Sequence, residues 1–230
     1  MENVDKATQL LNILKEVADS GKAASFSTSL GAEDMVITDI IARNNLPITI
    51  FTLDTGRLNE ETYQLMQKTM DHYSLDLKVY APDASELESY LNELGPNAFY
   101  QSVENRKRCC NVRKIEPLKR ALAGQEVWVT GLRAQQAVTR TDMQIFEWDD
   151  HFKVQKCNPL LDWSESEVWD YIKANEVPYN TLHDQGFPSI GCAPCTRAIS
   201  VGEDLRAGRW WWESPESKEC GLHAKKSAVA

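Results

Sequence analysis

Apolar positions Ala7, Leu10, Leu11, Leu14, Val17 and Ala18 recur every three or four residues, so the first twenty residues read as an amphipathic helix. After it the pattern switches repeatedly. Short apolar runs at 23–28, 48–53, 75–80 and 126–131 predict strands, and helical spacing fills 33–43, 59–73, 84–94 and about 110–122. That alternation predicts an α/β fold, a mostly parallel sheet with helices on its faces. Farther along, 144–148 and 152–156 flank Asp149-Asp150 as a hairpin, and Ser164 with Glu167 forms a capping box that opens a helix through Val168, Tyr171 and Ile172. From Ser214 onward the chain is polar and aperiodic, which predicts a mobile tail. The expected organisation is one Rossmann-like domain over 1–213 and a tail over 214–230.

Open parallel sheets bind ligands beyond the carboxyl ends of their strands. Three unusual segments fall there: Ser27 to Asp34 (STSLGAED), Leu53-Asp54-Thr55-Gly56, and Gly131-Leu132-Arg133. The first joins hydroxyls and a glycine to a helix N-terminus, whose unpaired N–H groups and dipole favour a phosphate. Each turn alone also reads as an ordinary cap; three at one sheet edge point to a nucleotide.

Composition narrows the classes. A chain of 230 residues at 42% hydrophobic content can bury a full core. Its acidic, amphipathic N-terminus lacks the basic start and continuous apolar run of a signal peptide, and no stretch approaches the roughly 18 apolar residues of a membrane span. The expected location is the cytoplasm. A net charge of −9 argues against nucleic-acid or anionic-membrane binding. Yet seven of the 25 basic residues lie between Arg106 and Arg120, which forms either a local anion-attracting site or a solvated helix face.

The six cysteines are Cys109, Cys110, Cys157, Cys192, Cys195 and Cys220. Cytosolic chains rarely keep structural disulfides, so the clustering points to metal or redox chemistry. Cys109-Cys110 and the later Cys192-Ala193-Pro194-Cys195 together offer four sulfur ligands. Zinc would accept that set, although an adjacent pair chelates one tetrahedral ion awkwardly, whereas a multi-iron cluster can take its two thiolates on different irons. A redox dithiol or buried free thiols are the other readings. Cys220, in Glu219-Cys220-Gly221-Leu222-His223, is either a reactive thiol or an incidental surface residue. Cys157 ends a strand pattern and reads as a small buried apolar side chain.

Taken together, Ser27 to Asp34, Leu53 to Gly56, Cys109-Cys110 with Lys114, Gly131 to Arg140, Cys192 to Cys195, Arg206 with Arg209, and Glu219 to His223 resemble the assimilatory sulfonucleotide reductases. The likeness runs from about Ser25 to His223 and is to their iron-sulfur type, which reduces adenosine 5'-phosphosulfate (APS). The resemblance implies an adenine nucleotide alpha hydrolase-like fold, a [4Fe-4S] cluster on Cys109, Cys110, Cys192 and Cys195, and Cys220 as nucleophile. It places Lys114 between cluster and substrate. Ser27 and Ser29 would serve as phosphate-loop hydroxyls, and Leu53, Asp54, Thr55 and Gly56 as an adenosine seat. Gly131, Arg133, Arg140, Arg206 and Arg209 would be further substrate contacts, Arg140, Arg206 and Arg209 holding phosphate and sulfate oxygens by the planar guanidinium fork. Leu30 makes the first loop longer than the compact Ser-x-Ser-Gly form.

The implied reaction is attack of the Cys220 thiolate on the sulfate sulfur, giving AMP and an enzyme S-sulfocysteine, which reduced thioredoxin converts to sulfite. Reduction of the 3'-phosphorylated nucleotide, or of both nucleotides, is the enzymatic alternative. A metal-binding, redox-sensing module is the non-enzymatic one. Related ATP-splitting transferases normally carry Ser-Gly-Gly-x-Asp-Ser where this chain has Ser-Leu-Gly-Ala-Glu-Asp. A homo-oligomer is compatible with the sequence.

Overall fold

The computed structural model of the chain describes residues 5–136 and 143–214. The expected alternation forms: α1 (Lys6–Asp19), β1 (Ala24–Thr28), α2 (Ala32–Arg43), β2 (Thr49–Leu53), α3 (Glu60–Tyr73), β3 (Lys78–Tyr80), α4 (Ala84–Leu94), α5 (Val103–Cys110), α6 (Glu116–Ala121), β4 (Val127–Val129), β5 (Phe146–Asp149), β6 (Val154–Cys157) and α7 (Glu165–Ala174). The strands make one six-stranded sheet in the order β3-β2-β1-β4-β6-β5. Strand β1 is parallel to β2 and β4, β4 is parallel to β6, and β5 runs antiparallel to β6. The predicted hairpin therefore exists, and its second strand also extends the parallel sheet. No helix among the described residues is long and apolar enough to cross a membrane.

The chain divides into two compact units, residues 1–52, 60–79 and 122–182 in one and 53–59, 80–121 and 183–230 in the other. The first carries almost all of the sheet. Phe26, Ile50, Trp128 and Val129 are buried there, each large apolar side chain contributing about 1.5–3 kcal/mol by leaving water. Helix α2 is buried on most of its circumference and packs on α3 and α7. This accounts for its nearly continuous apolar sequence, and it creates a problem at Asp39. The Asp39 carboxylate is fully buried and accepts from Arg43 Nε, Tyr73 Oη and Tyr171 Oη, each at 2.7 Å. Three charge-assisted bonds offset the desolvation of one charge.

In the second unit, α4 starts on Asp83, whose carboxylate accepts from Ser85 N and Glu86 N, and ends at Gly95 with φ 81°. Helix α5 begins at Val103, capped by Ser102, seven residues before the sequence pattern predicts a helix. The run Glu104 to Arg108 has no apolar member, so periodicity is silent there, and Ser102 is the one local start signal. A π-helical segment, Asn111–Ile115, follows the cysteine pair and passes into α6. Such segments concentrate at functional sites, because an extra residue in one turn re-aims the side chains around it.

Candidate functional site

The nucleotide-type loop of the first unit is ordered by its own side chains. The Asp34 carboxylate Oδ2 accepts both the backbone N–H and the hydroxyl of Ser29, each at 2.6 Å. Leu30 N donates to Thr28 Oγ1 at 3.0 Å, and the additional Leu30 is taken up in a left-handed conformation, φ 60°, with its side chain 1% exposed. Ser27 Oγ accepts from the Trp128 indole at 2.8 Å. On the neighbouring strand's exit, Gly131 lies against Asp34: a Cβ there would stand 1.9 Å from Asp34 Oδ1. Only glycine permits that approach. Burial pushes the Asp34 carboxyl up to about 7, against the lowering effect of its bonds to Ser29, with Glu33 adding to the rise. Arg133, expected among the substrate contacts, binds Glu33 at 2.8 Å and donates to the Trp163 carbonyl at 3.3 Å.

The second unit holds all four candidate ligand cysteines and Leu53 to Gly56. Gly56, φ 68°, donates its N–H to the Asp54 carboxylate at 2.8 Å, and Asp54 N donates to the Tyr80 carbonyl at 3.0 Å. The buried Thr55 hydroxyl lies 3.2 Å from Cys192 Sγ, while Thr55 O accepts from Arg113 Nη1 at 2.6 Å. Arg113, in the π-helical segment, is thus an unpredicted anchor of this loop. The Cys192–Cys195 segment is a single 3-10 turn, fixed by Ala193 N to Arg57 O (2.8 Å), Tyr100 Oη to Pro194 O (2.8 Å) and Trp210 N to Cys195 O (3.1 Å).

Cys109 and Cys195 share an apolar cluster with Tyr90, Phe99, Val112 and Trp212. Burial pushes the Cys195 thiol up to about 12, the neighbouring Cys192 and Cys109 raise it further, and Lys114 and Arg209 oppose them. Cys195 therefore stands in the electrostatic neighbourhood of Cys192 and of the sequence-distant Cys109, with Lys114 beside it. Cys110 lies by Arg106. Among the described residues no three His, Cys, Asp or Glu side chains stand in a metal-holding group, and all five described cysteines are free thiols.

Around these thiols the buried polar atoms are unusual. The Tyr90 hydroxyl, the Trp210 and Trp212 indole N–H groups and the Arg113 Nε–H are buried without a hydrogen-bond partner. Each such group costs about 1–3 kcal/mol, and native structures keep few of them. These donors, with Arg57 Nη1, lie in the unit that also holds the candidate ligand thiols, and their chemistry fits an anionic, thiolate-bound cluster.

Arg209 is buried, donates to Ser189 Oγ (3.3 Å) and Ile190 O (3.2 Å), and stacks 4.8 Å over the Trp210 ring. Gly191 leaves room for it, since a Cβ there would lie 2.5 Å from Arg209 Nη2. Arg206 is half-buried, its N–H held by Asp204. The basic run from Arg106 to Arg120 is no uniform charged face. Arg106 is buried in an ion pair with Glu213 at 2.6 Å and stacks on Trp210, Arg108 pairs with Glu93, and Arg120 reaches the Ala81 carbonyl. Arg140 and Cys220 lie outside the described residues, as does the predicted tail from residue 215.

Comparison with known proteins decides the lineage. Residues 23–198 match the phosphoadenosine phosphosulfate reductase domain family. The chain belongs to the sulfonucleotide reductases. Among its relatives, the adenosine 5'-phosphosulfate reductase of Allochromatium vinosum is 57% identical over 218 residues, covering 95% of this chain and 85% of its own. That of Neisseria meningitidis serogroup A is 52% identical over 220 residues, covering 95% and 90%. A crystal structure of phosphoadenylyl-sulfate reductase from Candida auris superposes with TM-score 0.71 at 27% identity, over 83% of this chain and 90% of that one. Yeast FAD synthetase, 15% identical with TM-score 0.55 over 84% and 67%, shares the fold. The resemblance read from the motifs is thus the chain's family, and the mostly parallel α/β sheet is the adenine nucleotide alpha hydrolase-like sheet expected of a sulfonucleotide reductase.

Within this sulfonucleotide reductase, Arg113, Tyr90 and Gly191 are residues that sequence reasoning passed over, and Asp34 was read only as the end of the first loop. Arg113 carried a signal, standing beside Lys114 and three residues past the cysteine pair. Gly191 had one too, as the residue leading into Cys192.

Proposed function

We propose that this sulfonucleotide reductase reduces adenosine 5'-phosphosulfate to sulfite and AMP in cytoplasmic sulfate assimilation, with thioredoxin as reductant. The observation that carries the reading is that Cys109 and Cys195 pack in one apolar cluster, with Cys192 and Lys114 near Cys195 and several buried donors without a hydrogen-bond partner in the same unit. The names of the relatives above support the choice of substrate.

In this reading Cys109, Cys110, Cys192 and Cys195 would hold a [4Fe-4S] cluster, which would supply electrostatic polarisation to the bound substrate. The chain's own residues do the rest. Ser27 and Ser29, the latter fixed by Asp34, present hydroxyls to phosphate, with Gly131 and Arg133 shaping the adjoining turn. Leu53 to Gly56 seat adenosine through a backbone already pinned by Asp54 and Arg113. Lys114, Arg140, Arg206 and Arg209 offset the negative charge that an incoming thiolate must approach.

The Cys220 thiolate attacks the sulfate sulfur. A sulfur–sulfur bond forms, the sulfur–oxygen bond to AMP breaks, and the leaving phosphate keeps the electron pair. One thioredoxin thiolate then attacks Cys220 Sγ and sulfite departs. The second thioredoxin thiol resolves the mixed disulfide, so the dithiol supplies both electrons and Cys220 returns as a thiol. The proposal treats 1–213 as the nucleotide- and cluster-binding part and 214–230 as the carrier of the nucleophile.

The test is anaerobic purification, iron and sulfide analysis, and sulfite release from each sulfonucleotide with reduced thioredoxin. The expected result is four irons per chain and preference for the nucleotide lacking a 3'-phosphate. Iron-free protein, or sulfite released only from the 3'-phosphorylated nucleotide, would contradict it.

A further inference from the structure

Tyr90 is among the largest fully buried side chains, 1% exposed, on α4, and its hydroxyl has no hydrogen-bond partner. A buried phenol normally finds an acceptor, because leaving it unpaired forfeits the hydrogen bonds it made in water. Its nearest electrostatic neighbour is Cys109, whose sulfur interacts with the hydroxyl without meeting hydrogen-bond geometry, followed by Arg113 and Arg57. The two guanidinium groups are donors only. Of these neighbours Cys109 sulfur is the acceptor, and the two residues pack in the same apolar cluster. A neutral thiol is a weak acceptor, which leaves the phenol unsatisfied, whereas a metal-bound thiolate keeps negative charge and accepts well.

We infer that Tyr90 is a positioning residue for the cluster site, its hydroxyl donating to the Cys109 sulfur once that sulfur is a thiolate ligand. The inference rests on the cluster reading above and goes beyond it, since the resemblance gives Tyr90 no role. Hydrogen bonds to ligand sulfur orient the ligand and withdraw charge from it, which strengthens retention and raises the potential of the centre. The apolar walls from Leu87, Leu91, Leu94 and Trp212 keep competing water from that bond.

The inference makes opposite demands on the two states of the protein. Without metal the hydroxyl contributes nothing, so Tyr90→Phe leaves the thermal midpoint of the cluster-free protein equal or higher. With metal, the same variant loses iron to a chelator about 10- to 100-fold faster, the equivalent of one charge-assisted hydrogen bond, and its iron–sulfur stretching bands in resonance Raman move from those of the wild type. Three results overturn it. A wild type that holds iron and sulfide alongside a variant with identical bands and chelation rate removes the Tyr90 role while leaving the cluster reading intact. A cluster-free variant that is less stable than the cluster-free wild type, or fails to fold, shows that the hydroxyl had a protein partner. A wild type purified anaerobically without iron fails the cluster reading itself, and the inference with it.

Discussion

The Asp34 carboxylate grips Ser29 twice, through its backbone N–H and its hydroxyl, both at 2.6 Å. The acid at the first turn of α2 thereby fixes the loop that precedes the helix. Its burial makes the grip sensitive to pH. The carboxyl is raised to about 7 from an ordinary 3.8, so between those values the unfolded chain has released this proton and the folded chain has kept it. Stability contributed by Asp34 therefore falls as pH rises through that window and is level above it. Chemical denaturation at about pH 5 and about pH 8 should show the wild type losing stability relative to Asp34→Asn by a few kcal/mol at the higher pH. A constant difference would contradict the assignment.

Gly131 and Asp34 form a second, steric relationship. An alanine at 131 would drive its Cβ to 1.9 Å from Asp34 Oδ1. Gly131→Ala should cost about 1–3 kcal/mol and weaken nucleotide binding. Because the clash has one partner, the double variant Gly131→Ala with Asp34→Ala should cost clearly less than the sum of the single changes. Additive costs in a double-mutant cycle would show that the clash is relieved elsewhere.

Asp39 predicts a different kind of coupling. Tyr73 and Tyr171, from α3 and α7, both donate to it at 2.7 Å, and burial together with the carboxylate pushes both phenols well above their ordinary range. Tyr73→Phe and Tyr171→Phe should each cost about 1.5–3 kcal/mol, since each removes a hydrogen bond to a charged group. In an Asp39→Asn background the tyrosine changes should cost much less, and equilibrium unfolding of the four variants measures that difference.

How much of this was readable from sequence depended on the distance over which each feature is decided. Strand and helix alternation, the Ser164–Glu167 capping box and the hairpin around Asp149 are local, and all appear in the fold. The pairing of β6 with β4 is not local, and nothing in Val154 to Cys157 marks its partner. Arginines show the same limit. Arg133, expected from Gly-Leu-Arg to be a substrate contact, also pairs with Glu33, one hundred residues away, which the local sequence does not mark. Arg106 sits in a basic run, yet it is buried on Glu213 and Trp210. The tryptophan triplet divides likewise: Trp210 is 1% exposed and Trp211 is 40% exposed. The cysteine spacing pointed to Cys109, Cys110, Cys192 and Cys195 as one ligand set, and in the fold Cys109 and Cys195 share one apolar cluster.

The buried Arg106–Glu213 pair yields one more prediction. Its side chains are 1% and 4% exposed, at 2.6 Å. Glu213→Ala removes the carboxylate partner of a buried guanidinium and should cost about 3–5 kcal/mol. Replacing both residues with apolar side chains of similar volume should recover most of that loss. Thermal unfolding of the single and double variants distinguishes this from simple loss of packing, for which the double variant would be the worse of the two.

The central claim is that Cys220 takes the sulfonate from the nucleotide before any reductant acts. Anaerobically purified protein mixed with adenosine 5'-phosphosulfate, with thioredoxin left out, should gain the mass of one sulfonate group per chain, located by peptide mapping on Cys220 and discharged as sulfite when reduced thioredoxin is added. Unmodified protein after that mixing, or the same adduct forming on Cys220→Ser, would contradict the account.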